Sequence, residues 1–148
     1  MQDAPNDPAR RQLLSTIAAT VIAGHLGTAG SAHAQGATGA FAPLKKVDAG
    51  LLRVGYAEAG RPDAPAVLLL HGWPYDIHTY AEVTPLLAAA GYRVIVPYLR
   101  GYGTTRFLSD ETVRNGQQSA LAVDMIAVLD ALGIRQAVIG GCDWGART

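Results

Sequence analysis

The sequence predicts an α/β fold: a mostly parallel sheet flanked by helices. Three observations carry this. Two apolar runs, 66–70 and 92–97, are each closed in by turn residues, as strands buried on both faces require. After each run comes a segment with apolar residues at helical spacing, ended by a glycine, Gly91 in one case and Gly133 in the other. A last apolar run, 136–140, enters the turn Gly141-Cys142-Asp143-Trp144-Gly145. Strand, helix, strand, helix, strand with short connections is the order of a layered parallel sheet.

Composition sets the bounds. At 148 residues, 49% apolar and 16% charged, the chain has the makings of one globular domain and not of a disordered segment. Its net charge is zero, so no long-range field favours nucleic acid or acidic lipid as a partner. A single cysteine excludes an intrachain disulfide and a thiolate metal cluster. Cys142 reads as a small buried residue beside the last turn. No nucleotide or metal pattern is present, so no cofactor and no metal are expected.

Taken in order, residues 1–34 read as an export signal. Arg10-Arg11 precede a moderately apolar stretch, and Ala32-His33-Ala34 supplies small residues where a signal peptidase reads. The stretch holds Ser15, Thr16, Thr20, His25 and three glycines, too polar for a stable membrane span. The paired arginines resemble a bacterial twin-arginine signal, which implies an exported, periplasmic or secreted protein. Residues 35–44 form a flexible lead-in, and 45–148 form the domain.

Within the domain, 47–59 alternates loosely, as an edge hairpin does. Gly60 to Pro65 breaks the chain, and Ala66 to Leu70 is the first buried strand. His71-Gly72-Trp73-Pro74 follows, and then Ile77, Tyr80, Val83 and Leu87 recur at helical spacing. Pro85 inside that segment predicts a helix that is kinked or starts late. The 92–97 strand leads into Arg100-Gly101-Tyr102-Gly103. After a polar connection, 104–118, a helix carries Leu121, Met125, Val128, Leu129 and Leu132 on one face. Asp124 and Asp130 fall largely on the other face.

The chemistry gathers at Asp143. Glycines 141 and 145 flank it at a strand-to-helix turn too tight for larger residues, the form of a nucleophile elbow. A carboxylate at its centre points to covalent catalysis through an alkyl ester. Ligands bind beyond the carboxyl ends of the strands in such a sheet, so the His71–Pro74 loop meets Asp143 there. Gly72 and Pro74 shape that loop so that the Trp73 N–H aims at the reacting group, and the Trp144 N–H supplies a second donor. Two such donors stabilise an oxyanion on the ester carbonyl. His71 belongs to the supporting turn.

Four passages together, Leu69 to Pro74, Gly91 to Pro97, Arg100 to Gly103 and Gly141 to Gly145, give the chain a family likeness. Over 45–148 it resembles the α/β-hydrolase superfamily, in particular its epoxide hydrolase and haloalkane dehalogenase branch. The resemblance implies that Asp143 attacks an electrophilic carbon of a small apolar epoxide or haloalkane. A histidine-activated water then hydrolyses the ester. Trp73 stands where a dehalogenase often has Asn, which leans towards epoxide opening. The alternatives are carbon–halogen chemistry, another α/β-hydrolase substrate, or a non-catalytic binding module. Cys142, Tyr98 and Thr105 depart from the His, Asp and Ser that the family often places there.

The family order is nucleophile, acid, histidine. The sequence runs five residues past Asp143, so the family positions of the acid, the histidine and the lid lie outside it. His25 and His33 fall in the export segment, and His78 reads as a surface residue. The expectation is therefore the N-terminal part of a longer hydrolase, inactive or limited to one turnover as given. Its elbow strand is expected to carry an unpaired edge and uncovered apolar side chains.

Overall fold

The computed structural model describes residue 41 and residues 43–148. The export signal and most of the lead-in lie outside the described residues. Lys45–Ala49 (β1) and Leu52–Ala59 (β2) form an antiparallel hairpin, with Ala49 opposite Leu52. Ala66–Leu70 (β3), Arg93–Pro97 (β4), the two-residue Arg106–Phe107 (β5) and Ala137–Gly141 (β6) complete one sheet among the described residues. The order is β1-β2-β4-β3-β6, with β5 also paired to β2. The sheet is mixed. Pairing is parallel for β4, β3 and β6, which lead to the site, and antiparallel for the hairpin and β5. Only β1 of the hairpin holds the edge. Strand β2 lies between β1 and β4, and Val54, Gly55, Tyr56 and Ala57 are buried there.

The continuous apolar runs follow from helices on both faces. In a strand, alternate side chains point to opposite sides. Leu68, Leu70 and Ile95 therefore join the core with Leu121, Met125 and Val128, whereas Val67, Leu69, Val94 and Val96 join a second core with Ile77 and Tyr98. All five residues of β3 are buried, because neither face is left to water.

Two helices cover the sheet. Val83–Ala89 (α1) starts late, as Pro85 predicts: the proline sits in the first turn, where its missing N–H costs no helical hydrogen bond. A separate 3₁₀ turn, Ile77–Tyr80, precedes it. That break interrupts the helical phase, so Ile77 is fully buried while Val83 faces water. The second helix, Gln118–Ala131 (α2), ends in a Schellman motif: Gly133 N–H donates to Asp130 O and Ile134 N–H to Leu129 O. Gly133 takes φ of +66°, which only glycine adopts without strain.

One residue of α2 departs from the sequence expectation. Asp124 does not face solvent; it is 4% exposed. Its carboxylate takes two hydrogen bonds from Arg100, Nε to Oδ2 at 2.6 Å and Nη2 to Oδ1 at 2.7 Å. The Arg100 fork reaches over from the turn after β4 and converts a polar helix position into a buried one.

Candidate active site

Strands β3 and β6 run side by side and in phase, Leu70 opposite Gly141, so the loops that follow them leave the sheet together. The Cys142 N–H still donates to Leu70 O at 3.1 Å, and one residue later the chain reverses. Asp143 adopts φ of +51°, the one non-glycine residue with positive φ among those described. The reversal closes with Gly145 N–H on Cys142 O and Ala146 N–H on Asp143 O, at 2.9 and 3.1 Å. Close approach explains the flanking glycines. A side chain on Gly145 would run into the Leu70 carbonyl, and one on Gly141 into the Gly145 carbonyl. Gly72 answers to the same crowding from the other loop: its Cβ would lie 2.5 Å from the Cβ of Asp143.

That proximity delivers the contact expected of the site. The Trp73 N–H donates to Asp143 Oδ1 at 3.0 Å across seventy positions of sequence. This bond foremost, then the Trp144 N–H and more weakly the Arg147 guanidinium, holds the Asp143 carboxyl below its usual range against a small opposing effect of burial. The group is an exposed, ionised carboxylate. Around it Trp73, Tyr75 and Trp144 all present exposed aromatic surface. The Trp73–Pro74 peptide is cis.

His71 is fully buried and makes two bonds to backbone. Its Nε2 accepts from the Leu99 N–H at 3.2 Å, which leaves Nδ1–H to donate to Gly72 O at 3.2 Å. Burial pushes its pKa down, so the neutral ring is the form the fold holds. It acts as a brace between two loops. His78 is exposed, with Nδ1 2.8 Å from Asp76 Oδ1.

Cys142 corrects an expectation: it is exposed, not buried. The strand it leaves is an outer strand of the described sheet, so no neighbouring element closes over the thiol. Its neighbour is Tyr80, whose hydroxyl donates to Leu70 O at 2.8 Å and whose phenol is pushed up by burial and by that thiol. The departures at Tyr98 and Thr105 are absorbed by the fold. The Thr105 hydroxyl donates to Tyr98 O at 2.8 Å and accepts from the Gly55 N–H at 3.1 Å, tying the turn after β4 to β2. The structure adds two residues that the sequence left without a role: Arg100, clamped on Asp124, and Tyr102, packed on His71. The only sequence signal for either was the Arg100–Gly103 turn itself.

The family described as the alpha/beta hydrolase fold matches residues 65–148, more than half of the chain and the whole of the site. The chain belongs to the α/β-hydrolase family. Within the family its likeness is to the epoxide hydrolase branch. This α/β-hydrolase chain is 39% identical over 106 residues to epoxide hydrolase A of Mycobacterium tuberculosis, covering 71% of the chain and 32% of that relative. It is also 39% identical over 94 residues to a haloalkane dehalogenase of Psychrobacter cryohalolentis, covering 64% of the chain and 30% of the relative. Among solved structures, a Klebsiella pneumoniae protein provisionally designated an epoxide hydrolase superimposes with a TM-score of 0.72 at 61% identity. That match covers 74% of this chain and 36% of the other. The α/β-hydrolase chain thus spans about a third of the length of the relatives it matches. Among the described residues no helix is long and apolar enough to cross a membrane, and no three His, Cys, Asp or Glu side chains gather as a metal site.

Proposed function

We propose that Asp143 is the nucleophile of an epoxide-opening hydrolase that works through an alkyl ester. The observation that carries this is an ionised aspartate at φ of +51° on a strand-to-turn elbow, with Oδ1 held by the Trp73 N–H. An Asp143 oxygen attacks one epoxide carbon, the ring C–O bond breaks, and the departing alkoxide takes a proton. The Asp143 carbonyl then sits against the Trp73 and Trp144 N–H groups, placed to stabilise the oxyanion when water attacks the ester. Among the described residues both histidines are committed, His71 to backbone and His78 to Asp76. We therefore assign activation of that water to the part of the longer relatives that this chain does not match; in this chain the alkoxide takes its proton from solvent water. With both described histidines committed, the ester formed on Asp143 should accumulate. Export by residues 1–34 belongs to the same proposal, and cell fractionation tests it.

Mass spectrometry of the chain after incubation with styrene oxide and, separately, 1-bromobutane tests the function. Epoxide opening adds the mass of the whole epoxide at Asp143; halide displacement adds a butyl group and loses bromide. The expected result is an epoxide adduct at Asp143 that vanishes in Asp143→Asn. A butyl adduct alone would move the assignment to carbon–halogen chemistry, the reading supported by the dehalogenase relative. Adducts on other residues only, or none, would overturn the nucleophile.

A further inference from the structure

Tyr102 has no part in the chemistry just described, yet it lies beside the site. It is partly buried and packs against both halves of the core. Its ring meets the His71 imidazole edge to face, centroids 4.7 Å apart and planes 74° from parallel. That imidazole spans two loops, accepting from the Leu99 N–H and donating to Gly72 O. The residue after Gly72 is Trp73, whose N–H holds Asp143. Contacts therefore run unbroken from the Tyr102 ring to the nucleophile.

The brace needs this third contact. The imidazole torsion about its ring bond is broad and lacks the three sharp wells of an aliphatic side chain. Both of its hydrogen bonds are long, at 3.2 Å. Two weak anchors on a soft torsion leave the ring free to tilt, and a T-shaped contact with a second aromatic ring removes that freedom. Tyr98, the other ring nearby, is farther off at 6.4 Å. The backbone of Tyr102 serves the same end: its N–H donates to Leu99 O at 3.0 Å, fixing the residue whose own N–H the imidazole accepts.

We propose that Tyr102 is a positioning residue, its ring locking His71 and so keeping the Trp73 N–H on the Asp143 carboxylate. Burial pushes the Tyr102 phenol up and the Asp143 charge pushes it further. The functional weight of this inference rests on Asp143 being the nucleophile; the contact chain does not.

The test is a carboxyl NMR titration of Asp143 in the ¹³C-aspartate-labelled 148-residue chain, with Asp143→Asn to assign the signal, in Tyr102→Phe and Tyr102→Met. The Trp73 amide proton shift is read alongside. Tyr102→Phe keeps the aromatic ring and should keep the depressed midpoint and the amide shift. Tyr102→Met, similar in bulk but without a ring, should raise the midpoint towards 3.8, the ordinary value for aspartate, and move the amide proton upfield. An unchanged midpoint in Tyr102→Met overturns the proposal. Equal shifts in both variants overturn it too, since they would make the hydroxyl the active part. Unfolding of Tyr102→Met, seen as lost dispersion of the Val128 methyls, overturns it by making Tyr102 a general core residue. A midpoint that behaves as expected in a chain forming no adduct with either alkylating probe would sink the nucleophile and leave the positioning intact.

Discussion

A residue with a side chain rarely adopts the φ of Asp143, and its cost there is about 1 kcal/mol for a short polar side chain. The strain persists because this turn, and no relaxed one, throws the carboxylate onto the Trp73 N–H. Replacing Asp143 with glycine should therefore stabilise the chain by about 1 kcal/mol while abolishing adduct formation. Thermal unfolding and mass spectrometry of the same sample check both halves. His71 sets a pH dependence at the same scale. Its folded pKa lies below the ordinary 6.5, so below that pH the unfolded state binds the proton first. Its contribution is complete above about pH 6.5 and is lost as pH falls towards the lowered folded value, with a slope approaching about 1.4 kcal/mol per pH unit. Denaturant midpoints between pH 7 and 5 should show that decline, and a His71→Gln variant should flatten it.

Helix α2 is held to the turn after β4 by one ion pair with little access to water. The Arg100 and Asp124 side chains are 8% and 5% exposed, and Arg100 Nη2 also donates to Ala120 O at 3.3 Å. Desolvating two charges costs nearly as much as their attraction returns, so the pair as a whole adds little stability. Removing one partner is different, because the other charge is left buried and alone. Asp124→Ala should cost about 3–5 kcal/mol, whereas Arg100→Met with Asp124→Leu should recover most of that loss. Urea unfolding of the two variants separates the cases; equal destabilisation of both would show that the pair itself contributes strongly. Relaxation of the Arg100 turn in Asp124→Ala should also loosen Tyr102, two residues on.

At the scale of the described molecule, the strand that carries the elbow is the one described strand with large apolar side chains in water. Val138 and Ile139 on β6 are 63% and 59% exposed, although their alternating neighbours on β3 are wholly within the core. In the described sheet β6 has β3 on one side and an open row of backbone donors and acceptors on the other, a template for pairing with another strand. The isolated chain should self-associate through it. Val138→Lys, at a position already in water, should change stability by less than about 0.5 kcal/mol. It should raise the concentration at which light scattering first detects oligomers. Unchanged scattering would place the sticky surface elsewhere, with the exposed Trp73, Tyr75 and Trp144 the next candidates.

The parts of this α/β-hydrolase legible in the sequence were those set by short-range rules. Breakers and apolar runs located β3, β4 and β6 to within a residue or two, Gly91 and Gly133 marked both helix ends, and the spacing of glycines around Asp143 announced the elbow. Each of these signals acts within about ten residues, through steric limits on φ and the side-chain periods of strand and helix. What the sequence left open needed a neighbour distant in the chain. A helical wheel sends Asp124 to solvent because it cannot see Arg100, twenty-four positions earlier, reaching across the turn. Nor can it tell that Cys142 leaves a strand with no cover, or that Tyr102 comes to rest on His71. Chain spacing determined which elements form and which residue stands at the elbow. Tertiary packing alone decided which charges are buried, which thiol meets water and which ring holds the brace, because each depends on what the folded sheet brings alongside.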